Sequence, residues 1–228
     1  MCISYQVSFS LSGLLLAGGA YCVRRARALD RSMSPLAMIP LLFGTQQLCE
    51  GWVWLGLARA WPAVTSVAAT AFLLFALFVW PVWIPMSALT AERSRNKRRF
   101  LDVMLVLGAV TGLVLVAPVI AHPEWLHVER TRYSLHYRIA ASPVVRAIPG
   151  LVWELLYLAA VTTPLLVTSR RWLVNAGVAI ILAAAVARLY FDAAFASMWC
   201  LFAAALSLYL CFVFHQAQER QRHLATVH

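Results

Sequence analysis

Glu50 is the residue whose chemistry is hardest to ignore. It stands in "LLFGTQQLCEGWVWLGL", residues 41–57, an almost wholly apolar run that also holds Gln46, Gln47 and Cys49. Phe43, Gln47, Glu50 and Trp54 are spaced 4, 3 and 4, so on a helix they share one face. A bare carboxylate in hydrocarbon costs several kcal/mol, so Glu50 must be paired, protonated or bound to a metal. Glu154 is the second carboxylate within an apolar run. An arginine near the same surface, Arg146 or Arg188, is its expected partner. As a general base, a proton carrier or a metal ligand, Glu50 is the natural centre of any chemistry in this chain.

The elements that must position these groups follow from composition. The chain has 228 residues, 62% hydrophobic and 12% charged, with a mean hydropathy of +0.76. Soluble domains carry about 25% charged residues, so this is the composition of a multispanning membrane protein. A bilayer core of about 30 Å needs roughly 20 apolar residues per helix. Seven segments meet that need, at about 6–23, 35–58, 63–90, 100–121, 148–168, 172–189 and 194–214. The expected architecture is all-α, a single seven-helix transmembrane domain over residues 1–228. Pro81 and Pro85 should kink or tilt the third helix.

Orientation follows from arginine. The net charge of +10 would suit nucleic acid, but its distribution argues otherwise. Arg24, Arg25, Arg27 and Arg31 follow the first segment, and Arg93, Arg95, Lys97, Arg98 and Arg99 follow the third. Arg170 and Arg171 follow the fifth, and Arg220 and Arg222 the last. Those thirteen of the nineteen basic residues fall on one side of an alternating bundle. The positive-inside rule makes that side cytoplasmic, with the N-terminus outside and the C-terminus inside. Membrane lipids, and not nucleic acid, are the expected partners. The run after Met1 has no positive region before it, so no cleavable signal peptide is expected.

Depth then sorts the reactive side chains. Glu50 lies about 10–13 Å below the outer surface. Cys2, His122, His127, His136, Tyr137 and Cys200 all fall in the outer half or the outer loop, and the inner half of the membrane holds almost no ionisable side chain. Five cysteines without CxxC spacing imply no disulfide framework. Ala193, Ala196, Ala203, Ala204 and Ser207 give the last helix a small-residue stripe, suited to close packing against a neighbour, a protein partner or a second copy. A retinal Schiff base has no lysine in the last helix, a b-type haem has no histidine pair within helices, and no phosphate-binding loop appears.

Three stretches resemble a bacterial family of multispanning membrane proteins of unknown function. They are the N-terminal "MCISYQVSF", "QQLCEGWVW" on the second helix and "SMWCLFAA" on the last. The resemblance covers nearly the whole chain and implies a fold and a bacterial cytoplasmic (inner) membrane, but no activity. Cys2, Glu50, His136 and Cys200 all lie in or near matched stretches and all on the outer side. Thiolate, carboxylate and imidazole are ligands for Zn, Cu or Fe. The expectation is an outward-facing metal or cofactor site built from these four, supported by Gln47, Glu154 and Tyr137 and acting on a lipid or small amphiphile. The competing readings are a proton-coupled transporter and a sensor or accessory subunit of a larger membrane complex.

Overall fold

The computed structural model describes residues 4–131, 134–139, 143–190, 207 and 209–216. The chain is mostly helical. Helix α1 (Tyr5–Leu29) is capped by Ser4, whose hydroxyl accepts from Val7 N, and stops at the extended Asp30. A short α2 (Ser34–Ala37) leads into α3 (Ile39–Ala58), with Pro40 in its first turn where a missing N–H costs nothing. A turn with Ala60 at φ 53° then returns the Trp61 N–H to the Gly56 carbonyl.

The next span, Pro62–Ala91, is α4 (Pro62–Leu74), a π-helical turn (Phe75–Val79) and α5 (Trp80–Ala91). The proline effect expected there takes this form. Pro81 has no N–H for the carbonyl four residues back, and the turn before it widens. The Tyr157 hydroxyl donates to the Ala76 carbonyl within that turn at 2.7 Å. Helix α6 (Arg95–Ala121) reaches the widened turn through Gly108 and Gly112, four residues apart. A Cβ on Gly108 would strike the Pro81 carbonyl, and one on Gly112 would lie 2.9 Å from the Leu77 carbonyl.

The loop after α6 departs from the all-α expectation. Leu126–Arg130 (β1) and Leu135–Ile139 (β2) pair as an antiparallel hairpin, with Glu129 opposite His136 and Val128 opposite Tyr137. Leu126, Val128, Leu135, Tyr137 and Ile139 alternate, and the hairpin lays that face on α3 and α4. The short α7 (Pro143–Arg146), α8 (Gly150–Val167) and α9 (Arg171–Tyr190) follow, and residues 209–216 are again helical.

Among the described residues, four helices are long and apolar enough to cross a membrane: Tyr5–Leu29, Pro62–Ala91, Arg95–Ala121 and Gly150–Val167. Helix α3 is 20 residues long but lies outside that group, because Gln46, Gln47 and Glu50 make its centre too polar. Most of the expected seventh helix, 194–214, lies outside the described residues.

Helix α1 packs along α3, α3 on α4, and α5, α6 and α8 pack on one another. Buried side chains from α1, α3, α5, α8, α9 and the 209–216 segment form the larger apolar cluster, including Leu15, Phe43, Trp80, Leu165, Leu173 and Phe214. A smaller one joins Val53 and Trp54 to Ala68, Ala69 and Leu135 of the hairpin. One expectation is corrected. Cys22 and Cys211 form a disulfide, with Cα atoms 5.3 Å apart, because the first helix and the last described segment pack together. Their separation of 189 residues left no local spacing to read.

Candidate functional site

Between the two apolar clusters, α3 carries a polar layer. Phe43 belongs to the larger cluster and Val53 and Trp54 to the smaller. The turns between hold Gln46, Gln47 and Glu50, exposed by only 2%, 0% and 1%. On the other side of α3, Leu48 is exposed. Burial of the polar face sets its amides and carboxylate among protein groups that can answer them.

Small residues close the layer off. A Cβ on Gly51 would lie 2.6 Å from Phe9 Cδ1, and one on Gly44 would lie 2.9 Å from Leu16 Cγ, so α1 rests directly on the α3 backbone. Ser12 donates to the Gly44 carbonyl at 2.8 Å. From the far side comes Trp80, the first residue after the π-helical turn. Its ring stacks on Phe43 at 3.8 Å and its Nε1–H donates to Gln46 Oε1 at 2.7 Å. The widened turn thus sets an indole against the layer.

Two more buried polar atoms belong to the surroundings. Trp54 stands one turn beyond Glu50 on the same face, and Ser8 lies on the α1 stretch that meets α3 near Gly51. Ser8 Oγ and Trp54 Nε1 are buried without a hydrogen-bond partner among the described residues. Arg130 of the hairpin lies over the Trp54 ring at 5.4 Å. Tyr137 stacks on Phe72 at 4.9 Å and packs in the cluster that Cys49, beside Glu50, also joins. The arrangement gathers hydroxyl, indole, amide and carboxyl groups between two apolar clusters.

The structure sorts the other expected site residues. Gln47 and Tyr137 are placed on the buried side with Glu50. His136 is on the opposite face of β2 from Tyr137, exposed and facing away from α3, because strand side chains alternate. Glu154 is likewise exposed, about one turn into α8, since that helix begins at Gly150. Cys2 and Cys200 lie outside the described residues. Among the described residues no three His, Cys, Asp or Glu side chains come together as a metal-holding group.

A second buried carboxylate escaped the sequence reading. Glu92, exposed by 3%, terminates α5 on the side carrying the basic turns. Its Oε1 accepts from Arg93 N and Ser94 N at 2.9 Å each and from Ser169 Oγ at 3.0 Å. Its Oε2 accepts from Ser169 N at 2.7 Å and Thr168 Oγ1 at 3.3 Å. Burial by itself would raise its pKa. The N–H groups of Ser94 and Ser169, the Ser169 hydroxyl and the Arg93 N–H overcome that and bring it from 4.5 to about 2. Glu92 clasps the α5–α6 turn to the α8–α9 turn. The one signal in the sequence was a single acid set directly before a run of bases.

No curated protein and no solved structure matches the chain. Residues 1–226 match a family of unknown function, and the chain belongs to that family, DUF6629.

Proposed function

We propose that this is a seven-span membrane protein, N-terminus outside and C-terminus cytoplasmic, whose α3 polar layer is an outward-facing intramembrane site for the polar head of a lipid or small amphiphile. The carrying observation is the layer itself. Gln46, Gln47 and Glu50 are buried between two apolar clusters, with Ser8 Oγ and Trp54 Nε1 buried in the adjoining turns without hydrogen-bond partners among the described residues. Buried polar groups are almost always satisfied, by protein, water or ligand. The multi-pass reading draws on the four long apolar helices and on the large apolar side chains they expose, among them Leu14, Val67, Val106 and Leu155.

Glu50 is the ionisable member, and it would bind a cationic or hydrogen-bonding headgroup directly or act as general base toward one. A Zn, Cu or Fe ion is a narrower version of the same site. It would draw on Glu50 with Cys2 and Cys200, since His136 faces away from α3.

Two experiments test this. Amphiphile co-purifying with the wild type, measured by mass spectrometry of an organic extract, should be lost in Glu50→Gln while the protein still folds. An unchanged extract would remove Glu50 from the site. Impermeant thiol reagents applied from outside should label a cysteine placed at Glu129 and not one at Asn96. The opposite pattern overturns the orientation.

A further inference from the structure

Beside the Glu92 clasp stand two arginines whose guanidinium groups make no ion pair among the described residues. A cleft of about 510 Å³ opens there, lined by Ala91, Glu92, Arg93, Ser94, Ser169 and Arg170. Five hydrogen bonds from backbone N–H groups and hydroxyls already occupy both Glu92 oxygens. Arg93 contributes to them through its main chain alone. Neither guanidinium makes an ion pair among the described residues. Among the described residues Asp30 is also near them; its oxygen accepts from Ser32 N at 2.9 Å, and it feels both arginines only at longer range.

The balance of charge at the cleft is positive. Arg93 and Arg170 line it, and Arg95, Lys97, Arg98, Arg99 and Arg171 stand in the first turns of the helices that follow, against Glu92 in the cleft and Asp30 on the neighbouring turn. The N-termini of α6 and α9, helices of 27 and 20 residues, begin at the same two turns and add their positive dipole ends. Arg98 is committed elsewhere, donating to the Leu89 and Glu92 carbonyls at 3.0 and 3.2 Å. The cleft adjoins helices whose outer faces are apolar, Phe100 and Val103 of α6 being exposed.

We propose that this cleft binds the phosphate of an anionic phospholipid, with Arg93 and Arg170 gripping the phosphate oxygens and the acyl chains lying along the apolar faces beside it. Guanidinium forks suit a phosphate diester, and basic pockets between helices near a membrane surface suit an anionic headgroup.

The test measures binding of dioctanoyl phosphatidylglycerol to purified, detergent-solubilised full-length protein, in 0.5 M salt so that diffuse attraction is screened. Detergent makes the outcome independent of the orientation proposed above. Arg93→Gln with Arg170→Gln should weaken binding by about tenfold or more. Arg95→Gln with Arg99→Gln removes the same charge outside the cleft and should change it by less than about twofold. Dioctanoyl phosphatidylcholine and glycerol phosphate should each bind at least about tenfold more weakly than the phosphatidylglycerol. Equal losses in the two double variants, or equal binding of phosphatidylcholine, would overturn the site. Equal binding of glycerol phosphate would make the ligand a soluble phosphate and overturn the lipid assignment. Should the glutamine pair melt early, Arg93→Lys with Arg170→Lys keeps both charges. A loss of about threefold is then expected, because an ammonium cannot make the bidentate grip, and no loss counts against the proposal.

Discussion

Glu50 and Glu92 are buried almost equally, at 1% and 3% exposure, yet their positions on their helices make them opposites. Glu92 ends a helix. At a chain reversal the backbone N–H groups of Arg93, Ser94 and Ser169 are not consumed by a helical ladder, so they turn toward the carboxylate and hold it ionised. Glu50 lies in the middle of α3, where neighbouring N–H groups already serve the helix. Only side chains, from the adjoining turns of α3 or from other helices, or something bound, can answer it. A carboxylate at a helix end is readily a structural part. One in mid-helix, in an apolar bundle, is a place to look for function.

The largest effect should come at the clasp. Glu92→Gln turns an acceptor of five hydrogen bonds into a group that brings donors of its own against N–H donors. Chemical unfolding should show a loss of about 3 kcal/mol, the depression of the Glu92 pKa converted at about 1.4 kcal/mol per unit. The sign in pH follows. The folded-state pKa is depressed, so this stability is fully present above pH 4.5 and is lost as pH falls toward about 2. An unfolding series over that range should show the wild type losing its advantage over Glu92→Gln.

Next is Trp80. Trp80→Phe keeps an aromatic ring beside Phe43 but takes the donor from Gln46, leaving a buried amide oxygen without it. A stability loss of about 1–3 kcal/mol is expected in the same assay. A loss near zero would show that Gln46 finds another donor at once and that the polar layer is loosely built.

Glu50→Gln sharpens the contrast most. It should shift stability by about 1 kcal/mol or less, yet abolish the bound amphiphile. The smallest effect belongs to His136→Ala, on the exposed face of the hairpin, at within about 0.5 kcal/mol. Any larger fall in bound metal or amphiphile would bring His136 back into the site.

What could be read ahead was set by lipid. A face carrying Gln47, Glu50 and Trp54 must turn inward, because hydrocarbon has nothing to give it, and that inference needs only the helical period. The four long apolar helices were legible for the same reason. The hairpin was hidden in a loop whose alternation, Leu126 and Val128 with Leu135, Tyr137 and Ile139, is short and interrupted by charges. Missing it put His136 and Tyr137 on one side, where a strand separates them. Glu154 stands exposed one turn into α8, where the apolar run around it gave no sign of the helix start at Gly150. Glu92 and the Cys22–Cys211 pair depend on which turns and helices meet, and no local pattern carries that.

The most direct measurement is the thermal stability of wild type, Glu92→Gln and Glu50→Gln in detergent, each with and without the lipid extract of the native membrane added back. A ligand that binds only the folded state raises the melting temperature of any variant that still binds it. The wild type should gain the most from the extract and Glu92→Gln should still gain from a lower starting point, while Glu50→Gln should keep only the smaller gain that anionic lipid at the Arg93–Arg170 cleft provides. An equal gain in Glu50→Gln would contradict the account and make Glu50, like Glu92, a part of the packing.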